Sequence, residues 1–243
     1  MGYRKEIYSN YATNFHCESR DNLNIIRAHR WEKAYNYYFR NWLPSDKNSA
    51  IIDLGCGSGR LLRFFKARGY TNLSGVDISP EQVLRAKSVI QSIKEEDILT
   101  FLEGRHNEFD LVTGIDIIEH LTKEDGITLL KLCYLTLKPG GRIILQTPNA
   151  DSPMFSTIWY GDITHETGYN TRSIKSLIQH VGFKSIEARE TGPLPIDYGV
   201  KTGVRFFLWK LLRIAAVAWN LIETGHSGSN VYTRALLISA VKY

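Results

Sequence analysis

The chain has 243 residues, 43% of them hydrophobic and 23% charged, which is enough for one sizeable domain and excludes disordered and fibrous classes. Its net charge of +5 suits an anionic ligand or an anionic membrane surface. No dense Lys/Arg run or basic stripe with interleaved aromatics marks a nucleic-acid binder, so none is expected as a partner.

Cys17, Cys56 and Cys133 form no CxxC pair and no cluster with histidines. That speaks against a disulfide framework or a structural zinc site and fits a reducing, cytoplasmic compartment. The first ten residues carry charge and tyrosine but no apolar core, unlike a secretory signal.

The chain opens with a helical rhythm. Tyr3, Ile7, Tyr11 and Phe15 recur every four residues, and Ile26, Trp31, Ala34, Tyr38 and Trp42 continue the pattern until Pro44. Short apolar runs then alternate with amphipathic stretches. The pairs are 50–54 with 61–67, 72–76 with 80–90, 109–113 with 125–137, and 141–146 with 171–180. Buried strands alternating with helices predict βαβ units and a parallel sheet. A strand between Ile90 and Leu99 is indistinct. Further on, 203–222 reads as an amphipathic helix, with Arg205, Lys210, Arg213 and Asn220 on one arc and Phe207, Leu211, Ile214, Ala218 and Ile222 opposite. Three cations are too many for a comfortable membrane span, so the helix is expected to pack on the domain, on a second subunit or on a membrane surface.

The strongest local signal is Asp53-Leu54-Gly55-Cys56-Gly57-Ser58-Gly59, between a strand and a helix. Glycines there let the backbone turn sharply and approach a ligand, and the following helix presents free N–H groups. Asp77 ends the next strand, about twenty residues on, where an acid accepts hydrogen bonds from ribose hydroxyls. A dinucleotide fingerprint wants G-x-G-x-x-G, but position 60 is Arg. The G-x-G-x-G spacing, with an acid two residues before the first glycine, disfavours a nicotinamide-dependent dehydrogenase.

That loop, together with Gly75-Val76-Asp77-Ile78-Ser79, Phe109-Asp110-Leu111-Val112 and Leu137-Lys138-Pro139-Gly140-Gly141, resembles the core of class I S-adenosylmethionine-dependent methyltransferases over residues 49–146. The resemblance implies an α/β fold with a Rossmann-like sheet, helices on both faces, an N-terminal helical extension and a C-terminal amphipathic helix. It implies S-adenosyl-L-methionine as cofactor and S-adenosyl-L-homocysteine as product. Asp53, Gly55, Cys56, Gly57, Gly59, Asp77, Ile78, Asp97, Ile98 and Asp116 are then the cofactor-binding candidates, with Asp77 at the ribose and Asp97 at the adenine. One domain is expected over 1–243: a helical cap over 1–44, the cofactor core over 49–146, and acceptor loop, final strands and amphipathic helix over 147–243.

Outside the core, Asp116-Ile117-Ile118-Glu119-His120-Leu121, Gln146-Thr147-Pro148-Asn149, Tyr160-Gly161-Asp162-Ile163-Thr164-His165-Glu166-Thr167 and Glu223-Thr224-Gly225-His226 resemble a group found with bacterial polysaccharide and O-antigen assembly enzymes. The group implies an O-methyltransferase acting on a sugar or sugar derivative in cell-surface polysaccharide biosynthesis, cytoplasmic or peripheral at the inner face of the membrane. The alternatives are methylation of another small metabolite at oxygen or nitrogen, and a non-catalytic binding module.

Methyl transfer is an in-line displacement that needs alignment and removal of the acceptor's proton, and in principle no metal. The candidates for proton removal are His165, with Asp162 to orient it, and His120 in reserve. Trp159, Tyr160 and Glu166 are candidates for contacting a small-molecule or glycan acceptor. His16, His29, His106, His180 and His226 read as surface or packing residues.

Overall fold

A computed structural model describes residues 31–195 and 198–243, together with Ile7. The expected helix around Tyr3, Tyr11, Phe15 and Ile26 lies outside the described residues. Ile7 is helical, and the helical segment 31–38 is followed by turns that end before Pro44.

Seven strands and seven α-helices follow in chain order: β1 (Ile51–Leu54), α1 (Arg60–Ala67), β2 (Leu73–Asp77), α2 (Pro80–Lys87), β3 (Ile93–Glu95), α3 (Ile98–Leu102), β4 (Phe109–Ile115), a 3-10 turn (Ile118–His120), α4 (Lys123–Thr136), β5 (Leu137–Pro148), α5 (Phe155–Trp159), α6 (Thr171–Val181), β6 (Lys184–Glu190), α7 (Val200–Thr224) and β7 (Ala235–Val241). They form one sheet of order β3-β2-β1-β4-β5-β7-β6. The first five strands are parallel, and β7 runs antiparallel between β5 and β6. This is the Rossmann-like α/β sheet expected from the glycine loop.

Strand alternation builds two cores. Ile52, Leu54, Val112, Ile143 and Ile238 point to one face, against Leu129, Leu130 and Cys133 of α4 and Ile174 and Ile178 of α6. Ile51, Leu111, Ile144 and Leu237 point to the other, against Leu61, Leu62, Phe64 and Phe65 of α1 and against Tyr35, Tyr38, Phe39 and Trp42. Helices on both faces follow from apolar runs whose neighbouring residues are all buried. The order reverses between β1 and β4, which opens a crevice at the carboxyl ends of the strands.

The helix α7 is longer than the 203–222 expected, and it is turned the other way from an ordinary surface helix. None of its residues is fully buried. Its polar side faces the domain: Trp209 donates to Glu190 (3.0 Å), Arg213 pairs with the same carboxylate (3.6 Å) and Asn220 donates to Tyr232 (3.4 Å). Phe207, Leu208, Leu211, Leu212, Ile214, Trp219 and Ile222 face outward, and Ile222 is 88% exposed. Of the polar arc, Arg213 and Asn220 are thus turned toward the domain. Among the described residues, no helix is long and apolar enough to cross a membrane.

Candidate functional site

The crevice is a cleft of about 1300 Å³ floored by the ends of β1, β2 and β4. Its lining includes Asp53, Gly55, Cys56, Gly57, Asp77, Ile78, Asp97, Ile98, Asp116, His120, Asp162 and His165, so most of the candidates from the sequence meet in one space. The volume exceeds the 300–1,000 Å³ or so of a typical single-ligand pocket.

The glycine loop is held by Asp77. Its Oδ2 accepts from the Gly57 N–H (2.8 Å) and its Oδ1 from the Ser79 N–H (2.9 Å). Burial raises the Asp77 carboxyl above its ordinary value, and these backbone donors oppose the shift. Each oxygen keeps a lone pair for a ligand hydroxyl. Gly57 has φ +51°, and a Cβ built there meets no protein atom within 4 Å. Gly57 therefore meets both requirements of a ligand cradle, left-handed backbone and open space.

Gly59 serves packing instead. Its Cβ position lies 3.2 Å from the Ala86 backbone, so the residue seats the start of α1 on α2 and does not line the cleft. The Cys56 side chain joins the core cluster around α1, and burial raises its thiol well above the ordinary value. Its backbone is engaged as well, the N–H donating to the Val76 carbonyl (3.0 Å) and the carbonyl accepting from the Gly59 N–H (2.9 Å).

Asp53 is buried beneath the loop, with the Thr113 hydroxyl donating to its Oδ1 at 2.8 Å. Burial pushes its carboxyl up to about 7, the Thr113 hydrogen bond opposes the shift, and nearby Asp77 adds to it. Asp97 follows β3, which has only three residues, and caps α3 by accepting from the Leu99 N–H (2.9 Å) and the Thr100 N–H (3.2 Å). Asp116 sits in left-handed backbone at φ +55°, and Gln146 Nε2 donates to both its oxygens at 3.0 and 3.1 Å. Gln146 in turn accepts from the Tyr35 hydroxyl at 2.6 Å, which ties the cap segment to the cleft floor. The sequence reading missed Tyr35 and Gln146, because no local pattern joins residues 111 positions apart.

Opposite the glycine loop, His120 and His165 meet with ring centroids 4.9 Å apart. Each is held through Nδ1. The His165 Nδ1 lies 3.0 Å from the Trp159 carbonyl oxygen, which only accepts, so Nδ1 carries a proton, and in the neutral ring the lone pair is on Nε2. The Thr164 hydroxyl donates to Asp162 Oδ1 (2.6 Å) and lies 2.8 Å from His120 Nδ1. Its proton is committed to the carboxylate, so His120 Nδ1–H donates to it, and here too Nε2 carries the lone pair. Asp162 thus orients His120 through Thr164, and not His165 as the sequence order suggested.

Glu119 lies beside them in the 3-10 turn, 1% exposed, with neither carboxylate oxygen hydrogen-bonded among the described residues. Burial raises its carboxyl well above the ordinary value and Asp116 adds to the rise. Its own backbone N–H and the Thr147 hydroxyl ease the shift without closing a hydrogen bond of normal geometry. The Glu119 carbonyl accepts from the Glu166 N–H (2.7 Å) and the Thr167 N–H (3.1 Å), which pins the 162–167 loop against the turn.

Three acceptor candidates do not line the cleft. Trp159 stacks on the far side of His165, with centroids 5.1 Å apart. Tyr160 is 83% exposed. Glu166 contributes its backbone N–H to Glu119. Asn149, from the Gln146-Thr147-Pro148-Asn149 motif, is buried and donates to the Val231 and Thr233 carbonyls, a structural tie.

Residues 23–188 match the model of a family described as "Methyltransferase domain". The small RNA 2'-O-methyltransferase of Mus musculus is 27% identical over 192 residues, which are 69% of this chain and 48% of that protein. The ubiquinone biosynthesis O-methyltransferase of Pseudomonas aeruginosa is 28% identical over 140 residues, 50% of this chain and 59% of that protein. The chain spans about half the length of the curated relatives it matches.

Among solved structures, a SAM-dependent methyltransferase from Archaeoglobus fulgidus superposes with a TM-score of 0.63 at 20% identity, covering 91% of this chain and 100% of that one. A Haemonchus contortus phosphoethanolamine N-methyltransferase, in complex with phosphomonomethylethanolamine and S-adenosylhomocysteine, superposes at 0.60 with 19% identity, covering 94% of this chain and 59% of that one. These likenesses are of fold. By the family match over most of its length and by the fold that carries it, the chain belongs to the methyltransferase domain family.

Proposed function

We propose that the chain is an S-adenosyl-L-methionine-dependent O-methyltransferase whose acceptor is a sugar or sugar derivative of bacterial cell-surface polysaccharide biosynthesis. The carrying observation is the two imidazoles, each presenting an Nε2 lone pair, across the same cleft from the Gly57–Asp77 cradle. When bound, S-adenosylmethionine supplies an electrophilic methyl on sulfur and leaves as the thioether S-adenosylhomocysteine. Asp77 receives the ribose hydroxyls, Asp97 and Ile98 flank the adenine, and Asp53 faces the ammonium. His120 and His165 engage the acceptor hydroxyl, which must lose its proton as the methyl moves.

Oxygen as the target is supported by the names of both curated relatives, a 2'-O-methyltransferase and an O-methyltransferase. The polysaccharide context rests on the flanking motifs. A nucleic-acid acceptor is disfavoured by composition, and the relative named for small RNA places RNA among the acceptors to test. Labelled cofactor with a panel of nucleotide sugars, lipid-linked glycans, quinol precursors and a short RNA tests the reading. Transfer to a sugar hydroxyl is expected; transfer to the quinol or to RNA alone overturns the acceptor class and leaves the reaction standing.

The outward apolar side of α7 belongs to the same reading. We place it on an anionic membrane surface at the cytoplasmic face, because exposed Lys201, Arg205 and Lys210 flank Phe207, Leu208, Leu211 and Leu212. Apolar side chains with neighbouring cations suit the boundary between acyl chains and headgroups.

A further inference from the structure

We propose that Glu119, His120 and His165 form a binding site for one divalent transition-metal ion, of the kind imidazole favours (Zn²⁺, Mn²⁺, Co²⁺ or Fe²⁺), on the acceptor side of the cleft. One ligand atom from each residue lies within 4.8 Å of the others, so small side-chain movements bring all three onto a common ion. Two histidines and one carboxylate fill one face of such an ion and leave positions open toward the cleft.

Three independent features point to a cation. The Glu119 carboxylate is buried, lines the cleft and has no hydrogen-bond partner among the described residues, a costly state for an acid unless a cation meets it. The fixed tautomers are the second feature. Both imidazoles use Nδ1–H on an outer partner, the Trp159 carbonyl for His165 and the Thr164–Asp162 pair for His120. That is how metal-bound histidines are oriented, with the other nitrogen left as the ligand. The third is charge. Asp116 and Asp162 add negative potential around Glu119, which favours a cation there.

An ion there changes the role of the histidines read from the sequence. With both Nε2 lone pairs on the ion, neither imidazole is free as a base. The acceptor hydroxyl at an open position becomes more acidic and loses its proton to water. Its oxygen lone pair forms the O–CH₃ bond, and the electron pair of the breaking S–CH₃ bond stays on sulfur.

The inference rests on the cofactor reading for the purpose of the ion but not for its binding, and the test keeps the two apart. The untagged full chain, stripped with chelator, is titrated with Mn²⁺, Co²⁺ and Zn²⁺. Bound metal is counted by elemental analysis and Co²⁺ coordination read from its visible spectrum. S-adenosylmethionine binding is measured separately by calorimetry on the stripped protein. One ion per chain is expected in the wild type. That ion is lost in His165→Ala and Glu119→Gln. In Thr164→Val, which keeps the shape and the Thr164 carbonyl 3.3 Å from His120 Nδ1 but removes the hydroxyl link to Asp162, it binds about 10–100-fold more weakly. Failure to take up any of the three ions, or uptake unchanged in all three variants, overturns the metal site. Failure of the stripped protein to bind S-adenosylmethionine overturns the cofactor reading and leaves the metal result standing.

Discussion

His120 and His165 come from loops 45 positions apart in the sequence, yet their rings stand 4.9 Å apart with each Nδ1 engaged by a different outer partner. The pair therefore acts as a unit, and its effects will not add. His165→Ala and His120→Ala should each lower kcat by roughly 10²–10⁴-fold, with the double variant little worse than either. Cofactor affinity should stay near normal in all three. Asp162→Asn acts at one remove, on His120 through Thr164, and should cost less. Near-normal turnover in both single variants would show that alignment alone carries the transfer.

The cradle makes a different prediction. Asp77→Ala removes the acceptor of two loop N–H groups and, on the proposed reading, of the ribose hydroxyls, and should weaken S-adenosylmethionine binding by about 1–3 kcal/mol. Gly57→Val should weaken it as well, because its side chain enters space that no protein atom occupies. Gly59→Val should instead lower the melting temperature, since its Cβ meets the Ala86 backbone. Calorimetry and thermal melts separate the two effects. Unchanged affinity in both Asp77→Ala and Gly57→Val would remove the loop from the binding site.

Asp53 predicts a pH dependence. Burial holds its carboxyl up at about 7, so in slightly acid solution the folded protein keeps a proton there that a bound ammonium must displace. Affinity for S-adenosylmethionine should fall by up to about tenfold per pH unit below about pH 7. The stability linkage has the opposite sense. The folded state holds this proton where the unfolded chain has lost it, so the Asp53 contribution to stability declines as pH rises from the ordinary carboxylate range, 3.8, through about 7. Asp53→Asn should flatten both profiles, and a variant that keeps the wild-type slopes would assign them elsewhere.

For α7, sedimentation with vesicles is decisive. The protein should pellet with phosphatidylglycerol-containing vesicles, less so at high salt, and Leu208→Glu/Leu212→Glu should abolish this without unfolding, because both side chains are exposed. A dimer that the same double variant splits, in a protein indifferent to vesicles, would give the face to a second copy.

The glycine-loop side of the candidate cleft could be read from the sequence because its signal is local. Gly55, Gly57 and Gly59 stand within one strand–loop–helix unit, and the acid of β2 follows at a fixed distance. Even the three-residue β3 could be bracketed by the residues around Asp97. The side that bears the two histidines could be read only residue by residue. His120, Asp162 and His165 were recognisable as chemistry, but Thr164 as the link between Asp162 and His120 depends on how two loops fold together. The helical period of α7 told which residues share a side, not which side the domain covers; Glu190, on another strand, decides that. Strands β6 and β7 were expected near the end but not placed, since nothing local says that β7 enters antiparallel between β5 and β6.

That insertion has a consequence for how the chain comes to be folded. Until residues 235–241 are in place, β5 stands as an open edge with Ile143, Ile144 and Leu145 lacking a paired strand on that side, and β6 has no paired strand among the described residues. The Gln146 that carries Asp116 lies on that same β5 edge, opposite Leu237. A cleft lined by Ala235 and by a Gln146 whose strand pairs with so distant a segment is incomplete until that segment docks. Its assembly waits on a contact nearly a hundred residues away in sequence, the kind of pairing that folds slowly and leaves an aggregation-prone edge meanwhile.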